Sequence, residues 1–146
     1  MPLVERSVLV HYGAEQMFDL VADIEQYPRF LPWCSGTRVV PEHGGGLDAS
    51  VDIEFRGIRS RFTTRNLLRY PEQIRMHLVD GPFRTMEGLW QFHALRPGAS
   101  KVQLSLRYEF ASGLLGRAVA PVFDAIASSM IDSFAQRAEQ LYGPNE

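Results

Sequence analysis

The sequence predicts an α+β fold in which a curved antiparallel sheet of about seven strands wraps around a long C-terminal helix. Three observations lead there. Apolar residues recur with a period of two from about Gly36 to Phe110. They recur at helical spacing from about Leu114 to Leu141. The elements follow in the order strand, helix, turns, six strands, long helix, and an unbroken meander of strands forms an antiparallel sheet with its helices on one face.

Residues 2–11 form the first strand, apolar and β-rich around Val8, Leu9 and Val10. A helix follows from about Ala14 to Ile24, where Ala14, Met17, Phe18, Val21 and Ala22 recur at helical spacing. Pro28 ends it, because proline disfavours helix at the residue before it. The segment Tyr27-Pro28-Arg29-Phe30-Leu31-Pro32-Trp33-Cys34, broken by two prolines, predicts one or two short turns packed on the body.

Strands then alternate. Val51, Ile53 and Phe55 interleave with Asp52, Glu54 and Arg56; Ile58, Phe62, Leu68 and Tyr70 share a parity; Ile74, Met76 and Leu78 interleave with Arg75 and His77. Met86, Trp90 and Phe92 share a parity, and Val102 to Phe110 alternates throughout. One apolar and one wet face per strand marks a sheet packed on one side. Gly44-Gly45-Gly46, Arg56-Gly57, Pro71-Glu72, Asp80-Gly81-Pro82 and Pro97-Gly98 supply the hairpins. Gly88, inside the strand 83–95, predicts a bend or bulge. In the last helix Val119, Phe123, Ile126, Met130, Phe134, Ala138 and Leu141 form one stripe, and Pro121 either begins the regular helix or kinks it.

Residues 1–146 fit one domain. The net charge of −2 gives no global field toward DNA, other nucleic acid or acidic lipid. A single cysteine, Cys34, excludes an internal disulfide. The N-terminus lacks a secretory pattern, and no apolar run approaches the ~18 residues of a membrane span, so the expected location is cytoplasmic.

No catalytic or metal-binding constellation stands out. His11, His43, His77 and His93 are scattered without ligand spacing, although His77 falls near Glu87 across a hairpin. Gly44-Gly45-Gly46 lacks the Lys and Ser/Thr of a phosphate loop. Arg56, Arg59, Arg61, Arg65 and Arg69 suggest a phosphate- or RNA-binding stripe. A two-residue turn at Arg56-Gly57 gives most of them another role. Phe55 then faces Ile58 and Val51 faces Phe62, while Glu54, Asp52 and Asp48 meet Arg59, Arg61 and Arg65. Arg69 has no partner in that register. The large inward residues Phe62, Met76, Met86, Trp90, Phe92, Phe123 and Met130 are compatible with either a filled core or an apolar cavity. Tyr27–Cys34 reads either as a plug or as a gate with Phe30, Leu31 and Trp33 partly exposed, which also suits membrane contact.

The strings Tyr27–Cys34, Gly81-Pro82-Phe83 with Gly88-Leu89-Trp90-Gln91-Phe92, and Pro121-Val122-Phe123 carry a family resemblance. The chain resembles the START-like (polyketide cyclase/dehydrase and lipid transport) superfamily, in the branch of coenzyme Q-binding proteins and RatA-type ribosome association toxins. The resemblance implies a helix-grip fold around a hydrophobic cavity, and no required catalytic residue or cofactor. It implies a non-enzymatic binder of ubiquinone or a similar lipid, supporting respiration or quinone biosynthesis, with peripheral contact at the inner membrane. Its alternatives are a toxin that binds a ribosomal subunit through Arg65 and Arg69, and a polyketide cyclase-like enzyme. Phe30, Leu31 and Trp33 carry over as mouth residues, and Trp90 and Phe92 as cavity wall. Phe62, Met76, Met86, Phe123, Ile126 and Met130 complete the expected ligand-binding set.

Overall fold

The structure, a computed structural model, describes residues 3–41, 46–55, 57–111 and 113–143, with side chains omitted for 113–118. His43, Gly44, Gly45 and Arg56, named above for a histidine and two turns, lie outside the described residues.

Strand β1 (Leu3–Val10) is followed by helix α1 (Ala14–Ala22) and a 3-10 helix (Ile24–Arg29). Six strands come next: β2 (Cys34–Pro41), β3 (Leu47–Phe55), β4 (Ile58–Arg69), β5 (Gln73–Asp80), β6 (Phe83–Arg96) and β7 (Ala99–Phe110). Helix α2 (Gly113–Tyr142) closes the chain. All seven strands join one antiparallel sheet in the order β1-β7-β6-β5-β4-β3-β2.

The predicted β3–β4 register holds. Phe55 pairs with Ile58 and Val51 with Phe62, around Gly57 at φ +79°, a left-handed conformation natural to glycine. On the convex face Arg59 meets Glu54 at 3.2 Å, Arg61 meets Asp52 at 2.5 Å and Arg65 meets Asp48 at 2.9 Å. Arg69, expected to be alone, sits 3.9 Å from Glu72 in the following turn.

Other expectations change. α1 ends at Ala22, with Asp23 as its C-cap, so Pro28 lies inside the 3-10 helix instead of stopping α1. α2 begins at Gly113 and carries Pro121 within it on an exposed position. Gly88 makes no bulge: the register is continuous there and shifts only near Phe83/Thr85 and Ala94/Arg96. Gly88 instead admits its cross-strand partner Met76, since a Cβ at this position would overlap the Met76 Cε and lie 3.0 Å from Leu106 Cδ1. On β4 the inward positions beyond Phe62 are Thr64 and Asn66, both buried, while Leu68 and Tyr70 are exposed. The strand there outruns the cover of α2, and Tyr70 packs edge-on against Phe18 of α1 at 5.0 Å.

The core lies between the concave face and α2. Phe123, Ile126, Phe134 and Ala138 are buried along the helix, whereas Leu141 at its end is 52% exposed. Phe134 is fully buried, with the rings of Tyr27, Trp90 and Phe30 at 5.2, 5.3 and 5.4 Å.

Candidate functional site

The site is built by three elements. The curved strands β4–β7 present their even-numbered side chains inward, and α2 lies across them. The residues from Tyr27 to Cys34 close one end: Leu31 N–H bonds to Tyr27 O at 2.9 Å and Cys34 N–H to Leu31 O at 3.0 Å. Phe30 sits between Phe134 and the Arg137 guanidinium, whose carbon is 5.1 Å from the ring centre.

Between sheet and helix is a chamber of about 40 Å³, lined by Trp33, Phe62, Met76, Met86, Leu104, Leu106, Phe123, Ile126, Ala127 and Met130. Among the described residues its lining is apolar, with no acid or base. A second, outer pocket of about 20 Å³ opens beside the end of α1, and Val21, Tyr27, Leu47, Asn66, Leu68, Ile74, Met76 and Trp90 contribute to it. Met76 lines both pockets.

Seven of the expected ligand-binding residues therefore meet around one chamber: Trp33, Phe62, Met76, Met86, Phe123, Ile126 and Met130. Trp90 lines the outer pocket. Phe92 stacks on Trp90 at 6.3 Å and meets Phe18 at 5.5 Å, behind the wall. Leu31 is 0% and Trp33 4% exposed, so neither stands partly open to solvent; Phe30 is half-buried. The short helical turn folds these side chains under α2.

The polar groups are few, and their positions are instructive. Trp33 Nε1 is buried without a hydrogen-bond partner. The Tyr27 hydroxyl donates to Val21 O, and burial raises its pKa far above the usual value. The Thr64 hydroxyl donates to Asn66 Oδ1 at 2.7 Å. Tyr108 of β7 donates to the Asp124 carboxylate of α2, tying sheet to helix, and desolvation holds the Asp124 pKa above its ordinary value. Cys34 is buried, and burial pushes its thiol up to about 11 against the smaller opposing effect of its contact with Gly36 O. Sequence reasoning missed Thr64, Asn66 and the Tyr108–Asp124 pair. A Thr-x-Asn on the inward parity of β4 was the one available signal.

The convex face carries a separate feature. The register lines up Asp48, Arg65, His77, Glu87 and Arg107 across five strands, so His77 does face Glu87. Beside this row a shallow groove of about 190 Å³ is lined by Leu3, Arg75, His77, Glu87, Leu89 and Arg107, among others. Among the described residues, no group of three or more His, Cys, Asp or Glu is placed to hold a metal ion. No helix of the described residues is long and apolar enough to cross a membrane.

Residues 10–135 match the profile of the family described as polyketide cyclase / dehydrase and lipid transport. The chain is 46% identical over 143 residues to the ribosome association toxin RatA of Vibrio cholerae, covering 98% of this chain and 99% of that protein. It is 28% identical over 144 residues to the mitochondrial coenzyme Q-binding protein COQ10 homolog B of Xenopus laevis, covering 96% of this chain and 59% of that one. The Zhui aromatase/cyclase of a Streptomyces species superposes with a TM-score of 0.81 at 18% identity, over 95% and 94% of the two chains, a likeness of fold.

Proposed function

The chain belongs to the polyketide cyclase / dehydrase and lipid transport family, in the branch shared by RatA and COQ10 proteins, and on that premise we propose that it is a non-enzymatic binder of a polyprenyl quinone or related lipid. The observation that carries this reading is the wholly apolar chamber between sheet and α2, with Met76, Met86 and Met130 in its wall. Among the described residues its lining offers no acid or base to move protons with, which favours binding over cyclase chemistry. Burial of an isoprenoid tail would drive binding at about 25 cal/mol per Å² of apolar surface, before ordering costs.

The chamber holds about 40 Å³, against the roughly 150 Å³ of an apolar cavity that accepts benzene. Entry therefore requires side chains to move aside. Methionine is suited to this, being unbranched with three rotatable bonds. The reading is tested by extracting the purified protein with organic solvent and identifying the lipid by mass spectrometry. A prenylated quinone at near-stoichiometric yield is expected. A lipid-free protein that also fails to bind added short-chain quinone sinks it.

A second reading has its own observation: identity to a protein named for ribosome association is 46% over nearly the full length of both chains. In this reading a ribosomal subunit docks on the convex face, with Arg75 and Arg107 in the groove and Arg65 and Arg69 beside it. Arg65 and Arg69 lie near carboxylates at 2.9 and 3.9 Å. No ion pair to Arg75 is formed among the described residues. Co-sedimentation with one subunit, weakening with salt and with R75A/R107A, is expected. An unchanged subunit profile on overexpression refutes it.

A further inference from the structure

The inner face of β4 breaks its own rule. Phe62 is apolar, as the concave side demands, but the next two inward residues are Thr64 and Asn66, 3% and 4% exposed. Burying an amide costs free energy unless its donors and acceptors are paired. Within the strand the Thr64 hydroxyl donates to Asn66 Oδ1 at 2.7 Å, and the amide nitrogen is not among the fully buried unpaired atoms, which are Trp33 Nε1 and Arg137 Nε among the described residues. The bond engages the amide oxygen, leaving the NH2 group as the donor end. That group makes no side-chain hydrogen bond among the described residues, and Asn66 lines the outer pocket.

The surroundings give this donor a direction. The rest of the outer pocket is mostly apolar, from Val21, Ile24, Leu47, Leu68, Ile74 and Trp90. The Tyr27 hydroxyl, also in its lining, already donates to Val21 O. Past Met76 lies the chamber, lined among the described residues by apolar side chains and the indole of Trp33. Polarity thus falls from the amide of Asn66, past the Met76 thioether shared by the two pockets, to the apolar chamber between the sheet and α2.

Resting on the ligand-binding reading above, we propose that Asn66, held by Thr64, is the head-group anchor: its NH2 donates to a carbonyl oxygen on the ligand ring in the outer pocket, while the apolar tail displaces Met76 and enters the chamber. Thr64 is a positioning residue, since without its hydroxyl the amide is free to turn over. The site selects a ligand with a carbonyl-bearing head and an apolar tail over one with the tail alone.

The two tryptophans of the chain report the orientation independently, because Trp90 lines the outer pocket and Trp33 the chamber. The single-tryptophan variants W33F and W90F are titrated with a decyl-substituted benzoquinone, whose ring quenches indole fluorescence at short range. Decylbenzene, which lacks the carbonyl, serves as the tail-only competitor. Stronger quenching of Trp90 than of Trp33 is expected. N66L should weaken quinone binding about tenfold, the order of one buried hydrogen bond, and leave decylbenzene binding within a factor of about two. T64V should shift the same quinone-to-decylbenzene ratio in the same direction, which a general loss of stability would not do. Stronger quenching of Trp33, or an unchanged affinity ratio in a folded N66L, overturns the anchor while leaving ligand binding intact. Absence of binding by both probes overturns the ligand-binding reading and the anchor with it.

Discussion

Filling the inner chamber from the helix side should stabilise the protein and close it to ligand. Ala127 is 1% exposed on α2, and its methyl group forms part of the chamber wall. The chamber's 40 Å³ would accommodate about three waters by volume, but an apolar wall offers them no partners, so it stays dry. Ala127→Val adds two carbons into that space. At about 0.8 kcal/mol per buried carbon the gain is roughly 1.6 kcal/mol. Valine's lower helix propensity takes back about 0.6 kcal/mol. The net is about 1 kcal/mol, a rise in Tm of about 2–4 °C for a chain of this size. Urea and thermal unfolding measure the first effect, and titration with decyl-benzoquinone the second, where binding should fall at least tenfold. A variant destabilised by more than about 1 kcal/mol that still binds quinone normally would refute the reasoning, because it would mean that the void is neither at this position nor the ligand's destination.

Three further outcomes follow from the packing and charges. Phe134→Ala removes a fully buried ring in contact with Tyr27, Phe30 and Trp90, and should cost about 3–5 kcal/mol in urea unfolding; a loss below about 1 kcal/mol would show that α2 is not gripped there. Cys34, with its thiol pushed up to about 11 by burial, should resist alkylation at pH 8 until urea unfolds the chain; rapid native-state labelling would contradict its placement. The hydrogen bond from Arg61, opposed by partial desolvation and aided by the Arg61 charge, holds the Asp52 carboxyl below the usual range. A depressed carboxyl pKa adds stability that is present above the unfolded value near 3.9 and lost as pH falls through the folded one. Asp52→Asn should therefore flatten the decline in urea midpoint as pH falls below about 4; an identical acid slope would mean that the pair is not formed.

The β3–β4 hairpin was legible from sequence because two signals coincided. Alternation assigned the faces, and the carboxylates on one strand matched the arginines on the other in only one register. Seven chamber residues were legible for a simpler reason: parity and helical spacing place them inward whatever the curvature. What parity cannot show is where a strand leaves the cover of its helix. β4 passes that point near Asn66, so Leu68 and Tyr70, expected inside, are exposed, and two polar residues occupy the inward positions before them. The burial of Leu31 and Trp33 was equally hidden, since it depends on Phe30 reaching Phe134, a contact across more than one hundred residues. Gly88 reads from sequence as a bend or bulge because a glycine in a strand has two uses, and only the partner strand shows that Met76 takes the space.

The two functional readings concern opposite faces of one layer. Adjacent residues of β5 make the point: Arg75 and His77 line the convex groove, while Met76 borders the chamber and reaches the groove as well. At Gly88 the sheet carries no side chain, so only a backbone separates the groove floor from the Met76 thioether. Substitutions on one face leave the other face's contacts in place, and effects at such sites add unless a shared element couples them. Met76 is that element if ligand entry displaces it, because it packs on the strand pair β5–β6 that also carries Arg75, His77 and Glu87. Measuring subunit binding by wild type, Met76→Leu and Arg75→Ala, and by the double variant, with and without decyl-benzoquinone, separates the cases. Additive losses that ignore the quinone describe two independent surfaces. A quinone effect that vanishes in Met76→Leu describes one protein in which the occupied chamber sets the shape of the convex face.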